Sequence, residues 1–240
     1  IHIAGMKRLG AKIDQQGGYV DASAERLAGG HVIMELPSVG ATENVMMAAA
    51  LAAGPSRIEN AAREPEIVDL AEVLVKMGAR VRGAGSSIIE IEGVDKLGGV
   101  DHEVIPDRIE AGTYLVGAAM TRGDVFVRGA RAGDLEALLE ALAASGAEIS
   151  PNDDGVRLRA ERRPAPVDAR TAPHPGFPTD LQAQFMALMC LSTGTSVIRE
   201  TIFENRFMHV PELMRMGADI SLHGGEAVVR GKPSLSGAPV

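Results

Sequence analysis

The stretch from residue 67 to residue 82 reads Ile-Val-Asp-Leu-Ala-Glu-Val-Leu-Val-Lys-Met-Gly-Ala-Arg-Val-Arg. Its apolar residues recur at helical spacing as far as Met77, and an alternating run typical of a strand follows Ala79. Gly78 suits the end of a helix, because glycine readily adopts the left-handed backbone conformation that commonly terminates one. The stretch therefore predicts a helix, a tight turn and a strand.

The same Gly-Ala step recurs along the chain, beginning at Gly10, Gly78, Gly146 and Gly217. The steps lie about 70 residues apart, whereas the common helical solenoid repeats span about 30 to 45 residues. Each repeat is therefore expected to be a small subdomain.

The repeat in residues 31–100 predicts the element order β-α-β-α-β-β. Its strands are expected at residues 31–36, 56–60, 80–82 and 88–92, and its helices at residues 38–54 and 67–77. The same order is predicted for residues 101–166 and 167–240, while residues 1–30 contain only the last helix and strand pair of an earlier repeat. The predicted fold class is α/β, with repeats that pack on one another because none can bury its apolar face alone.

The composition argues against two classes of partner. Apolar residues make up 45% of the 240 residues, enough for a sizeable core. Uncharged apolar runs such as residues 45–53 are far shorter than the roughly 20 residues that cross a bilayer, so no membrane partner is expected. A net charge of -8 and an aromatic fraction of 3% disfavour nucleic acid as a partner, because its binding uses basic surfaces and stacking side chains.

The cysteine and histidine content also bears on chemistry and compartment. Cys190 is the single cysteine, so no internal disulfide can form, and a cytoplasmic location is predicted. It lies in the apolar run of residues 185–191, which predicts a buried, unreactive thiol. The six histidines show no metal-ligand spacing and no glycine fingerprint of a nucleotide site is present, so neither a metal nor a cofactor is expected.

The turn at residues 37–42, Pro-Ser-Val-Gly-Ala-Thr, lies between a predicted strand and a predicted helix. Free backbone N–H groups and the positive end of the helix dipole make such a turn suitable for an anion, and Gly40 lets a phosphate approach the backbone. Alternatively, Ser38 or Thr42 is an ordinary N-cap of the helix.

Charged residues stand at similar places elsewhere. Glu64 precedes a helix, where it belongs either to a site or to the favourable charge pattern of a helix start. Asp180 ends a loop stiffened by three prolines, so it is either a positioned general base or a helix cap. Arg206 can grip a carboxylate or phosphate with two nitrogens, or form a surface salt bridge. Asp107 lies in the turn of the second repeat that corresponds to the turn at 37–42.

Four longer strings, taken together, resemble one family. They are PSVGATEN at 37–44, ENAAREPEIVD at 59–69, TAPHPGFPTD at 171–180 and ENRFMHVPEL at 204–213. In this order they resemble the UDP-N-acetylglucosamine 1-carboxyvinyltransferases, which are enolpyruvyl transferases, and the resemblance extends over essentially the whole chain.

The resemblance implies an inside-out α/β barrel of two domains, each of three repeats, with the substrates in the cleft between them. The implied reaction transfers the enolpyruvyl group of phosphoenolpyruvate to the 3-hydroxyl of UDP-N-acetylglucosamine and releases phosphate, the first committed step of peptidoglycan synthesis. The implied partners are these two small molecules.

The resemblance also implies roles for particular residues. Asp180 matches the carboxylate that is proposed to remove the proton of the 3-hydroxyl. Ile202 matches an apolar position beside the nucleotide sugar. The turn that binds the UDP-sugar through its backbone matches Leu36, Pro37, Ser38, Val39 and Gly40. Charged cleft residues match Glu64, Asp107 and Arg206.

Parts of the family's pattern are expected to lie beyond this sequence. The family's substrate-binding lysine, its cysteine-bearing loop and its first arginines would precede Ile1, and further arginines would follow Ala238. We therefore expect the chain to be an incomplete copy that is inactive alone. The alternatives are an enzyme like 5-enolpyruvylshikimate-3-phosphate synthase, which shares the repeats and the phosphoenolpyruvate chemistry, and a non-catalytic module that binds a sugar nucleotide.

Overall fold

In a computed structural model, which describes residues 1–239, the chain divides into two compact units, Ile1–Ile105 and Pro106–Val240. No helix among the described residues is long and apolar enough to cross a bilayer. Each unit has its own apolar core, so the two are described separately.

The first unit contains one hairpin and one four-stranded sheet. Its elements are α1 (His2–Arg8), β1 (Lys12–Gln16), β2 (Tyr19–Ser23), β3 (His31–Ile33), α2 (Val39–Ala50), β4 (Pro55–Glu59), α3 (Pro65–Lys76), β5 (Arg80–Arg82) and β6 (Ile88–Glu92). The sheet has the order β3-β4-β6-β5, in which β3 and β4 are parallel and the other neighbours antiparallel. Ile89 and Ile91 of β6 are buried while Glu90 is exposed, so one face of the sheet covers the core.

The second unit contains two sheets. Its elements are α4 (Arg108–Thr121), β7 (Asp124–Arg128), α5 (Glu136–Ala144), β8 (Glu148–Asn152), β9 (Gly155–Arg159), β10 (Ala169–Arg170), α6 (Gln182–Met189), β11 (Thr195–Arg199), α7 (Val210–Arg215), β12 (Asp219–His223) and β13 (Glu226–Arg230). Short 3-10 helices occupy Ala132–Asp134 and Thr179–Leu181. The sheets have the orders β7-β9-β8 and β10-β11-β13-β12.

The repeated subdomains predicted from the sequence are confirmed. Residues 31–92 and 169–230 both follow the order β-α-β-α-β-β, and in both sheets the first strand of the repeat pairs with the second, the second with the fourth and the fourth with the third. The hairpin of β1 and β2 follows α1, as expected for the end of an earlier repeat. The boundaries of the repeats at residues 30, 100 and 166 stay predictions.

The second repeat differs from its prediction, because residues 101–107 form no strand and its sheet has three strands. His102 is engaged instead by a helix of the first unit: its Nε2 lies 2.9 Å from Oδ1 of Asp69, and its Nδ1 lies 3.0 Å from Nζ of Lys76. Pro106, which lacks an N–H group, would also interrupt a ladder of hydrogen bonds. The contacts of His102 hold the segment against α3 rather than in a sheet.

The first strand of the first repeat is also shorter than predicted, since β3 ends at Ile33 rather than at residue 36. Met34 still donates its N–H to the carbonyl oxygen of Glu59 at 2.9 Å, but the chain then leaves the sheet. Pro37 cannot donate to a neighbouring strand. The residues released from the strand are those of the predicted substrate turn.

All four Gly-Ala steps end a helix in the same way. Gly10, Gly78, Gly146 and Gly217 have φ angles of +104°, +105°, +99° and +95°. After α5, for example, the N–H of Gly146 bonds to the carbonyl of Ala143 and the N–H of Ala147 to that of Leu142. This pair of hydrogen bonds is the Schellman motif, which needs a residue tolerant of positive φ. The repeat first seen in the sequence is therefore a repeated helix terminus.

We expect Gly146→Ala to lower the free energy of unfolding by about 1–2 kcal/mol, because a Cβ is strained at this φ although the space around it is open. Gly117→Ala is the matched control: Gly117 lies inside α4 with equally open surroundings, so alanine should stabilise the helix by about 0.5–1 kcal/mol. Urea unfolding of both variants measures the difference. Equal effects would show that the positive φ does not matter.

Candidate active site

The loop that carries Asp180 keeps its shape through its own contacts. The N–H of Ala172 bonds to the carbonyl of Phe177 at 3.0 Å, and that of Gly176 to the carbonyl of Pro173 at 2.9 Å. The ring of Phe177 packs edge-on against Phe185 of α6, with centroids 5.2 Å apart. The loop is therefore closed by backbone hydrogen bonds and anchored in the core.

Asp180 lies in the 3-10 helix that follows this loop, and its side chain caps no helix. The helix-cap alternative for Asp180 is therefore wrong. Its Oδ1 instead accepts a hydrogen bond from Arg206 at 2.5 Å, and both side chains are partly exposed. The pair places a carboxylate and a guanidinium together at the surface of the second unit.

Arg206 belongs to residues 201–208, which form one wall of a cleft. Its guanidinium lies over the ring of Phe203, 5.1 Å from the centroid. The cleft has a volume of about 760 Å³ and is lined by residues 200–208 together with Leu222, Gly224 and Gly225. Ile202 is among the lining residues, so the predicted Asp180, Ile202 and Arg206 are brought together.

Glu200 lies directly after β11 and is only 7% exposed. Its Oε1 accepts hydrogen bonds from the hydroxyl of Thr171 (2.9 Å) and from the N–H groups of Ile202 (2.8 Å) and Phe203 (3.2 Å). Its Oε2 accepts from the hydroxyl of Thr179 at 2.8 Å. Burial alone would raise the pKa of Glu200, but these hydrogen bonds outweigh burial and lower its pKa below the usual value.

Glu200 is not among the site residues predicted above, although the sequence contains a signal for it. Every second residue from Ser196 to Glu200 lies on the same face of the strand. Ser196 and Ile198 on this face are buried in the core. The period of two therefore places a carboxylate on the buried face. A buried carboxylate requires hydrogen-bond donors, and the hydroxyl and N–H groups of the two neighbouring segments supply them.

His209 lies next to this cleft wall, at the start of α7. Burial, and secondarily the positive charge of Arg206, lower the pKa of its imidazole. Its ring packs against Phe207 with centroids 6.4 Å apart. Its Nε2 is buried without a hydrogen-bond partner among the described residues.

Asp107 caps α4, since its Oδ1 accepts hydrogen bonds from the N–H groups of Ile109 at 2.8 Å and Glu110 at 3.1 Å. This role is structural. An Asp followed three positions later by a Glu is a common sequence pattern at the start of a helix. The helix that it starts packs against the 3-10 helix of Asp180, where Gly112 lies against the side chain of Leu181. Whether Asp107 also contacts a substrate stays a prediction.

The predicted substrate turn lies in the first unit, at the start of α2. The hydroxyl of Ser38 accepts the N–H of Ala41 at 3.4 Å, so Ser38 is the N-cap. Thr42 is not the cap: it is buried within the helix and accepts the N–H of Ala62 at 3.1 Å. Leu36 is exposed, and Pro37, Ser38, Val39 and Gly40 are half-buried. The first-turn N–H groups of Val39 and Gly40 have no acceptor within the helix, so they remain suited to an anion.

Glu64 follows the segment in which Ala62 contacts Thr42 in the first half of α2. It lies at the N-cap position of α3, is buried, and accepts the N–H of Arg63 at 2.8 Å without capping the helix. Glu43 of α2 is close to Glu66, and burial and then the charge of Glu66 raise the pKa of Glu43. The first unit thus gathers the turn and Glu64, while the second gathers Asp180, Ile202 and Arg206.

Cys190 at the end of α6 is fully buried, and burial raises the pKa of its thiol to about 11. We expect it to react with a thiol reagent far more slowly in the native chain than in urea, because only the exposed thiolate is nucleophilic. Cys190→Ser should lower the free energy of unfolding by about 1–3 kcal/mol, since a hydroxyl replaces an apolar thiol. Rapid labelling of Cys190 in the folded chain would contradict the prediction of a buried, unreactive thiol.

The fold is shared with proteins of known structure. The fold is similar to that of the enolpyruvyl transferase NikO from Streptomyces tendae, with a TM-score of 0.83 at 24% identity, over 97% of this chain and 58% of that one. It is also similar to EPSP synthase from Acinetobacter baumannii, with a TM-score of 0.68 at 19% identity, over 96% of this chain and 56% of that one. The chain therefore has the fold of enolpyruvyl transferases.

The family follows from the sequence. A family model described as EPSP synthase (3-phosphoshikimate 1-carboxyvinyltransferase) matches residues 1–240, so the chain belongs to this family of carboxyvinyltransferases.

Relatives with higher sequence identity carry the name of a different carboxyvinyltransferase. A protein named UDP-N-acetylglucosamine 1-carboxyvinyltransferase from Anaeromyxobacter sp. (strain Fw109-5) is 57% identical over 241 residues, covering 100% of this chain and 57% of that protein. One of the same name from Geotalea daltonii is 54% identical, covering 100% and 58%. The resemblance inferred from the four strings is confirmed. The chain spans somewhat more than half the length of these relatives.

Proposed function

We propose that the protein to which this chain belongs transfers the enolpyruvyl group of phosphoenolpyruvate to the 3-hydroxyl of UDP-N-acetylglucosamine and releases phosphate. One observation carries the chemistry: Asp180 is an exposed carboxylate on a loop closed by its own hydrogen bonds, paired with Arg206 at a cleft of about 760 Å³. The name shared by relatives at 53–57% identity supports the choice of acceptor.

In this proposal Asp180 is the general base. It removes the proton of the sugar 3-hydroxyl while that oxygen bonds to C2 of phosphoenolpyruvate and the C3 methylene takes up a proton. Loss of a proton from the new methyl group and cleavage of the bond between C2 and the phosphate oxygen then give the enolpyruvyl ether and inorganic phosphate. A rigid loop favours the first step because it fixes the carboxylate in advance.

The remaining predicted residues bind the substrates. The backbone of the turn at residues 36–40 interacts with the UDP-sugar, with the N–H groups of Val39 and Gly40 at the helix start as donors. Ile202 gives the nucleotide sugar an apolar contact in the cleft. Glu64, Asp107 and Arg206 supply charge, and Arg206 is suited to a carboxylate or phosphate by its planar guanidinium. We place the reaction in the cytoplasm, as a step of peptidoglycan synthesis.

The test uses an exchange protein, made by replacing the segment of the Anaeromyxobacter relative that matches residues 1–240 with this chain. Calorimetric titration should show that it binds UDP-N-acetylglucosamine and ignores shikimate 3-phosphate. With phosphoenolpyruvate added, the exchange protein should release phosphate. The unmodified relative serves as the positive control for the rate of release. A folded exchange protein that binds shikimate 3-phosphate instead would replace the proposed acceptor, and one that releases no phosphate would contradict the proposed reaction.

Assays of the 240-residue chain alone distinguish catalysis from substrate binding. We expect the chain to release no phosphate from the two substrates, because it spans 57% of the length of the relative and the proposed reaction needs groups from the remaining part. Binding of UDP-N-acetylglucosamine without turnover would agree with the alternative of a sugar-nucleotide-binding module for the isolated chain. Phosphate release by the chain alone would show that those groups are dispensable.

A further inference from the structure

We propose that Glu200 is a positioning residue, which fixes the base Asp180 against the substrate by joining the two segments that form this part of the site. The inference rests on the proposed function, because it assigns Glu200 a role in that reaction. Glu200 touches neither substrate in this proposal and acts through Thr179 and Ile202.

The carboxylate of Glu200 connects two segments that are distant in sequence. Two of its donors, Thr171 and Thr179, lie on the loop of residues 171–181, and the other two, the N–H groups of Ile202 and Phe203, lie on the cleft wall. A second link runs beside it: Thr201 donates its N–H to the hydroxyl oxygen of Thr171 at 2.8 Å and its own hydroxyl to the carbonyl of Thr171 at 2.5 Å. Neither segment can shift without breaking hydrogen bonds of the other.

Asp180 is attached to this junction from both sides. Its neighbour Thr179 bonds to Glu200, and its own carboxylate bonds to Arg206 of the cleft wall. The Asp180–Arg206 pair alone is partly exposed, and exposed ion pairs constrain a side chain weakly. The buried bonds of Glu200, made by a charged group away from water, are the stronger constraint on where the backbone of Asp180 lies.

A carboxylate is required at this junction by the nature of its partners. All four groups point donors at Glu200, and the two backbone N–H groups cannot reverse that role. A glutamine would offer one oxygen and one NH₂ group, so it could satisfy the backbone donors only if Thr179 turned its hydroxyl to accept. The lowered pKa of Glu200 agrees with a site built to keep the group ionised.

The test uses Thr179, because its hydroxyl is the bond between Glu200 and the neighbour of the base. In the exchange protein, Thr179→Val should lower kcat about 10-fold or more while the KM for UDP-N-acetylglucosamine changes less than about threefold, since a small displacement of a base affects the chemical step. Thr179→Ser, which keeps the hydroxyl, should restore kcat to within about threefold of the parent. A merely structural role would not produce this split and rescue.

Thr121→Val is the matched control. Among residues 1–239 its hydroxyl bonds only to the backbone carbonyls of Gly117 and Ala118 at the exposed end of α4, so kcat should not change. Unchanged kcat in Thr179→Val, or equal losses in the valine and serine variants, would overturn the inference.

Amide hydrogen exchange in the exchange protein gives a readout that does not depend on activity. Glu200→Gln should speed amide exchange both in residues 171–181 and in residues 201–206, because the two segments lose their common anchor. Faster exchange in one segment alone would overturn the coupling. If the parent exchange protein releases no phosphate, the proposed function fails. The rates of amide hydrogen exchange still decide whether Glu200 joins the two segments.

Discussion

Asp180→Asn in the exchange protein should reduce kcat by at least about 100-fold, the lower range of the contribution of a general base. The asparagine has the shape of the aspartate and its side-chain oxygen can still accept the hydrogen bond of Arg206, so the loop should keep its position. The loss would then reflect the missing base. Phosphate release under saturating substrates measures kcat.

The matched control for Asp180→Asn is Asp219→Asn. Asp219 also forms an exposed ion pair in the second unit, with Arg230 at 3.3 Å, but it lies at the start of β12 and is not among the residues that line the cleft. Exposed pairs contribute about 0–1 kcal/mol, so this variant should keep normal turnover. Near-normal turnover by Asp180→Asn itself would remove Asp180 from the mechanism.

Phe185→Ala should be the most destabilising single change that we predict, lowering the free energy of unfolding of the 240-residue chain by about 3–5 kcal/mol. Phe185 is fully buried in the core of the second unit, and its ring also contacts Phe177 of the loop that carries Asp180. Removing it leaves a cavity and frees the loop from its anchor. Urea unfolding measures the first effect, and amide exchange of residues 171–181 the second.

Phe126→Ala serves as the control for Phe185→Ala, because Phe126 is 41% exposed on β7. Its loss should cost about 1 kcal/mol or less, since only part of the ring leaves water on folding. Similar losses in the two variants would mean that the core of the second unit is not packed around Phe185.

Much of the architecture could be predicted because the chain repeats itself. The strands at 80–82 and 88–92 have the predicted bounds, and Gly78 ends α3 as expected, since each prediction rests on local backbone chemistry. The missing strand at residues 101–107 could not be predicted. It depends on the contacts of His102 with Asp69 and Lys76, which are apart in sequence and meet only in the folded unit.

The site was predicted unevenly for the same reason. Asp180 and Arg206 stand in unusual strings, yet nothing local shows that they pair with each other. Ser38 could be recognised as a helix cap from local rules, and the structure gives it that role, whereas the cap formed by Asp107 was not predicted. Glu200 was missed because its importance lies in four donors from two separate segments, which no single stretch of sequence displays.

Strand β8 lies at one edge of the three-stranded sheet and contains Pro151. Open edges invite strands of other molecules, and proline is tolerated in an edge strand when its nitrogen faces outward. A second molecule that extended the sheet past β8 would therefore meet a position without a donor, where one of its carbonyl groups would lose water and gain no hydrogen bond. Pro151 thus makes this edge a poorer template for pairing with another strand.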